Sequence, residues 1–187
     1  MATRGESTGV LDAIDPVRGA LYGGVAFVAG YVLTFVLLLV DSAIELEGED
    51  YLLETVGMVF YNAQFVDTEL SDGSTTETIT MLSEMGPDFP ELAYTLVPVC
   101  LLVGAGYLVA RGASDNETTA EDGLKVGASV VVGYLPLVLV GTTLFEVSED
   151  VFDATFTAGP ATGSAVLLAG LAFPIVLGAI GGYLSQR

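Results

Sequence analysis

Histidine and tryptophan are absent from this 187-residue chain, cysteine occurs once, and only five residues are basic. Each scarcity removes a class of chemistry. Without histidine there is no imidazole base, no Ser-His-Asp triad and no histidine metal site. A single cysteine, Cys100, makes no intrachain disulfide, zinc knuckle or CxxC pair. Five Lys and Arg against 24 Asp and Glu give a formal net charge of −19. That balance argues against nucleic acid as a partner. No phosphate loop, dinucleotide fingerprint or metal motif occurs, so no cofactor is expected. Intramembrane proteolysis would need a paired nucleophile and base or two aspartates within spans, and neither pair is present. The expectation is a protein without catalytic activity.

What the chain does have is apolar length. Hydrophobic residues make up 52 % of it, and the mean hydropathy is +0.66. That fraction and a charge of −19 do not share one soluble core. They coexist when the apolar residues gather into membrane spans and the acids into the loops. Four uncharged runs fit, at 19–40, 92–110, 126–145 and 161–184. Each is close to the ~20 residues that cross ~30 Å of hydrocarbon as a helix. In lipid the backbone must pair internally, which makes such runs helical. A 187-residue chain cannot bury four such helices in other protein, and its length suits one membrane domain over 1–187. The first run exceeds the ~7–15 apolar residues of a signal peptide, and Glu6, Asp12 and Asp15 precede it. It is therefore expected to be a retained span.

The few cations set a direction. Arg4 and Arg18 precede the first run, Arg111 follows the second, Lys125 precedes the third, and Arg187 closes the fourth. Alternate threading puts all five on one side, which the positive-inside rule makes cytoplasmic. The expected location is the cell membrane, with both termini and the 111–125 loop inside and the 41–91 and 146–160 loops outside. Asn116-Glu117-Thr118 matches a glycosylation sequon but falls on the inner side, so no glycan is expected.

Acids crowd every aqueous segment, as in DSAIELEGED and SDNETTAEDG, and Lys125 is the only lysine. At molar salt the Debye length falls to ~3 Å and such mutual repulsion is screened. In acidic loops, lysine scarcity and four spans, the whole chain resembles the small four-helix membrane proteins of halophilic archaea that have no assigned function. The resemblance implies salt adaptation and transfers no functional residue. A sharper reading of the same acids is cation capture. Asp41, Glu45 and Glu49 recur every four residues and would line one face if the first helix continued outward; Glu91 opens the second span nearby. These four residues are the candidate outer-mouth cation site.

Within the long outer loop, 51–66 (YLLETVGMVFYNAQFV) places Leu52, Val56, Val59, Phe60 and Ala63 on one helical stripe. It is expected as an amphipathic helix lying on the membrane or capping the bundle. The turn-rich 67–78 reads as a mobile loop, and 79–85 as a short strand or helix.

PVCLLVGAGYLVAR (98–111) aligns without a gap on PIVLGAIGGYLSQR (174–187). Pro98 meets Pro174, Gly106 meets Gly182, Tyr107 meets Tyr183, and Arg111 meets Arg187. Gly30 and Gly133 match more weakly between spans one and three. The pattern reads as two hairpins from a duplication, repeated in parallel about an axis along the membrane normal. Pro98, Pro136 and Pro174 should kink their helices. Gly30, Gly106, Gly133 and Gly182 should allow close helix approach. Arg18, Tyr107, Arg111, Lys125, Tyr183 and Arg187 should anchor at the membrane interface. Cys100 reads as a small buried apolar residue.

The expected fold class is therefore all-α, a polytopic membrane protein of four helices plus an extracellular amphipathic segment. Two functions remain open. One is a membrane component or accessory subunit whose partners are the lipid bilayer and a second copy or another membrane protein. The other is a small transporter or channel for a cation or neutral solute. A carrier requires span hydroxyls meeting in a polar path beneath Asp41 and Glu91. A scaffold requires a dry interior and a glycine-rich face left open to lipid.

Overall fold

The computed structural model describes residues 16–44, 51–113, 119–151 and 154–187. Helix α1 (Pro16–Val40) opens on a proline, whose missing N–H costs nothing in a first turn. Helix α4 (Glu91–Ala113) follows Pro90, whose carbonyl accepts the Ala93 N–H. Helix α5 (Ala120–Ala128) begins with a capping box. Thr119 Oγ1 accepts the Asp122 N–H, and the Asp122 carboxylate accepts the Thr119 N–H. Helix α6 (Val131–Leu144) continues from it. The last span runs from α7 (Thr162–Ser164) through a π-helical stretch (Ala165–Ala172) into α8 (Phe173–Leu184).

Four helical stretches are long and apolar enough to cross a membrane: Pro16–Val40, Glu91–Gly112, Ala120–Leu144 and Thr162–Leu184. Helix α1 packs on α4 and α6, α8 packs on α4 and α5, and α6 packs on the π stretch. The outward faces carry Leu21, Val28, Leu96, Leu139 and Val176, all exposed, as a surface solvated by hydrocarbon would.

Glycines set the closeness of the crossings. A Cβ on Gly106 would strike the Gly178 carbonyl, one on Gly182 the Gly123 carbonyl, and one on Gly133 the Ala20 carbonyl. Gly30 lies against the Phe60 ring, 2.7 Å from where a Cβ would stand. The small residues are thus used inside the bundle.

Several expectations need correction. The protein is mostly helical but not all-α. Strands β1 (Thr68–Ser71), β2 (Thr76–Ile79), β3 (Val147–Val151) and β4 (Ala154–Pro160) form one antiparallel sheet in the order β2-β1-β4-β3. The stretch expected as a mobile loop is its first hairpin. Asp72 closes the turn: its Oδ1 accepts the N–H groups of Ser74 and Thr75, and Gly73 takes φ +83°. The stretch 79–85 resolves as helix α3 (Met81–Met85). Helix α2 (Leu52–Asn62) forms where the stripe predicts one. It does not lie on a surface, because every residue from Thr55 to Asn62 is buried. Cys100 is exposed on the outer surface of α4 rather than buried. The third long helical stretch is interrupted at Ser129 and Val130, six to seven residues before Pro136, the position expected to kink. There Ser129 Oγ bonds back to the Val126 carbonyl, and Gly19 and Gly23 of α1 press against the Ser129 and Val130 carbonyls.

Candidate functional site

The chain leaves α1 through a buried acid. Asp41 is 2 % exposed. Its carboxylate accepts the N–H groups of Ala43, Asp88 and Phe89 at 3.2, 3.0 and 3.1 Å and the Tyr94 hydroxyl at 3.0 Å. Burial alone would raise its pKa. The hydrogen bonds from Phe89, Asp88, Ala43 and Tyr94 outweigh burial and hold it below the ordinary carboxylate value. Asp41 ties the end of α1 to the entry of α4. Helix α1 ends at Val40, so the helical carboxylate row does not continue through residues 41–44. Glu45 and Glu49 lie outside the described residues, as do Arg4 and the Asn116 sequon. Glu91 accepts the Ser83 hydroxyl at 2.6 Å and faces a small polar pocket shared with Asn62, Asp67 and Thr80. Among the described residues, no three acidic or cysteine side chains converge to hold a metal ion.

Helix α2 then enters the bundle. Phe60 reaches Gly30, the fifteenth of the 25 residues of α1, and packs edge-on against Phe27 with centroids 5.2 Å apart. Tyr61 donates to the Val138 carbonyl at 2.5 Å. Gln64, fully buried, accepts the Tyr134 hydroxyl at 2.7 Å and donates to the Phe60 carbonyl at 3.1 Å. The chain reverses at Phe65, the only described non-glycine residue with positive φ, at +62°. Asn62 secures that turn by donating to the Val66 carbonyl at 2.6 Å. So α2 is a plug inserted among the long helices, and its polar tip is satisfied from inside the protein.

The span hydroxyls follow the same rule. Thr95, Ser129, Thr142, Thr143 and Ser164 each donate to a carbonyl of their own helix, and Tyr31 donates to the Leu53 carbonyl. Thr34 Oγ1 is buried without a partner among the described residues.

The described cations gather at the other end of the bundle. Arg18, at the start of α1, donates to the Gly112 carbonyl at the end of α4. Lys125 pairs with Glu121 at 2.6 Å. Arg111 donates to the Tyr107 hydroxyl at 3.2 Å, and Arg187 donates to the Tyr183 hydroxyl at 2.7 Å. Each of these two guanidinium groups also lies over its tyrosine ring, at 5.9 and 4.9 Å from the centroid. Pro98 and Pro136 lie inside α4 and α6, and Pro174 lies in the first turn of α8. The π stretch ends just before Pro174, with the Phe173 N–H bonded five residues back to Leu168. The widened turns occur where an α-helix would press the proline ring against the Gly170 carbonyl.

A further concavity lies elsewhere, on the sheet. A groove of about 630 Å³ is lined by Tyr51, Leu70, Glu77, Val147, Glu149 and Phe156, together with Asp72 and Ala158. Register places Glu77 opposite Leu70, Leu70 opposite Ala158, and Ala158 opposite Val147, so the four form one row on one face. Glu149 opposes Phe156 two residues along, and the Tyr51 hydroxyl donates to Glu149 Oε1 at 2.7 Å. Among the described residues, none that lines the groove is basic. The candidate residues chosen from sequence did not include these. The available signals were Asp-Gly between threonine-rich stretches at 67–79 and alternating threonines in ATFTAGP.

The whole chain, residues 1–187, matches a family of unknown function, DUF7978, and belongs to it. No curated protein and no solved structure matches.

Proposed function

We propose that the protein is a non-enzymatic, multi-pass component of the membrane of a halophilic archaeon, an accessory subunit whose closed helical bundle carries a small acidic sheet on the outer side. One observation carries this reading: α2 fills the outer half of the bundle with residues buried from Thr55 to Asn62. Apart from Thr34, whose hydroxyl is buried without a partner among the described residues, the hydroxyls of Thr95, Ser129, Thr142 and Thr143 bond to carbonyls of their own helices instead of meeting beneath Asp41 and Glu91. A carrier would need those groups turned toward a shared path. Gly106, Gly133 and Gly182, expected to allow close helix approach, press on neighbouring backbone inside the bundle, so a partner protein or second copy would meet the sheet rather than these glycines. Gathering of Arg18, Arg111, Lys125 and Arg187 at the end away from the sheet supports cytoplasmic termini by the positive-inside rule.

We also propose a duplicated origin. Its support is the like geometry of Tyr107–Arg111 and Tyr183–Arg187. The outer segments have diverged, since α2 has no counterpart between α6 and α7.

Reconstitution in liposomes at high salt tests the functional reading. Cation and small-solute flux should equal that of protein-free vesicles, for the native chain and for Asp41→Asn and Glu91→Gln alike. Flux that falls when either acid is neutralised would overturn it in favour of a small cation or solute channel.

A further inference from the structure

We propose that the groove across the sheet binds a linear aliphatic polyamine, with its charged ends on Glu77 and Glu149 and its methylenes over Leu70, Ala158 and Phe156. The first ground is charge placement. The strand order puts Glu77 on one edge strand and Glu149 on the other, with apolar side chains between them. Three strand spacings of ~4.8 Å and an offset of two residues at ~3.3 Å each separate the two acids by about 16 Å across the sheet. Allowing ~2.8 Å for each charged hydrogen bond, they suit cationic ends about 10 Å apart. Asp72, the third acid of the groove, is already committed to its own turn through Oδ1.

A second ground is the nature of the floor. Strands β1 and β4 are inner strands whose ladders are already paired on both sides. An extended peptide lying there would find no backbone partners for its own amide groups. An alkyl polyamine has no amides to satisfy and presents methylenes to an apolar floor. Beside Glu149, the rings of Tyr51 and Phe156 are 38 % and 46 % exposed, and both stand within the groove where an ammonium would lie. Tyr51 also fixes the Glu149 carboxylate by its hydrogen bond. The volume falls within the ~300–1,000 Å³ typical of small-molecule sites.

Equilibrium dialysis of the full chain in detergent micelles against spermidine and against putrescine tests this. Spermidine should bind saturably, one per chain, and more tightly than putrescine, which is too short to reach both acids. The double variant Glu77→Gln/Glu149→Gln should weaken spermidine about tenfold, the sum of two exposed charge pairs. Ala158→Phe, which fills the floor and leaves every charge in place, should also weaken it. Glu69→Gln/Glu84→Gln, with both acids outside the groove lining, should leave binding unchanged. Thermal unfolding of each variant establishes that the sheet is intact. Non-saturable binding, equal loss in the Glu69/Glu84 control, insensitivity to Ala158→Phe, or displacement by a lysine-rich peptide that binds more tightly would each overturn the proposal. None of these readouts depends on whether the bundle conducts.

Discussion

Asp41 is the residue whose role changed most between pattern and geometry. An acid just past an apolar run suggests a mouth charge, yet its carboxylate is enclosed by four internal donors. Removing it by Asp41→Ala strands the Asp88 and Phe89 N–H groups and the Tyr94 hydroxyl, and should cost about 3 kcal/mol. Unfolding in denaturant, in detergent at high salt, would measure this. The sign of its pH dependence follows from its lowered pKa. A carboxylate with a folded pKa below its unfolded value adds stability at pH above the unfolded pKa, and loses it as pH falls through the folded pKa. The Asp41 contribution should thus be complete at neutral pH and fade below about pH 4. A difference between native chain and Asp41→Ala that stays constant from neutral to acid pH would contradict this. Glycine makes a second residue-scale contrast. Gly106→Ala collides with the Gly178 backbone, whereas Gly104→Ala meets nothing within 4 Å. The first should destabilise by about 2 kcal/mol. The second should be neutral or slightly stabilising, by up to ~1 kcal/mol, since alanine is the better helix former. Thermal unfolding of both variants reads the difference.

Among the elements, α2 departs furthest from a sequence-based placement. Its apolar stripe at 52–63 was legible because helical periodicity is local. Its insertion was not, because burial on every side needs α1, α6 and Phe145 to surround it. A Cβ on Gly57, for instance, would strike the Phe145 ring. The polar tip of the plug depends on Gln64 and Tyr134. Tyr134→Phe and Gln64→Leu should each cost about 1–2 kcal/mol by leaving a buried partner unsatisfied. The double variant should cost about 1 kcal/mol less than their sum, because neither orphan then remains. Additive costs would mean that the pair does not anchor α2. The strands were missed for a related reason. Each is short, and β1 gains its second neighbour only from β4, far along the chain, with Leu70 facing Ala158. The break in span three at Ser129 likewise follows from α1 pressing on it and is not signalled by Pro136.

For the whole molecule, charge and hydropathy divide along one axis. Basic side chains lie at the end bearing Arg18, Lys125 and Arg187, and the sheet lies at the other. Accessibility labelling checks the direction. On a Cys100→Ala background, Ser74→Cys at the hairpin turn should react from outside intact cells, and Glu121→Cys at the start of α5 only after permeabilisation. The reverse pattern would invert the orientation.

The sequence by itself determined the four helices long and apolar enough to cross a membrane, the segregation of the described cations and the helix at 52–62, because length, charge and periodicity act over a few turns of chain. Only the tertiary structure decided that the helix is a plug, that Asp41 is a clasp, and that two loops join into one sheet with a groove. Those outcomes rest on contacts between residues distant in the chain, where a hydrogen bond or a packed ring stabilises only after both partners have been brought together.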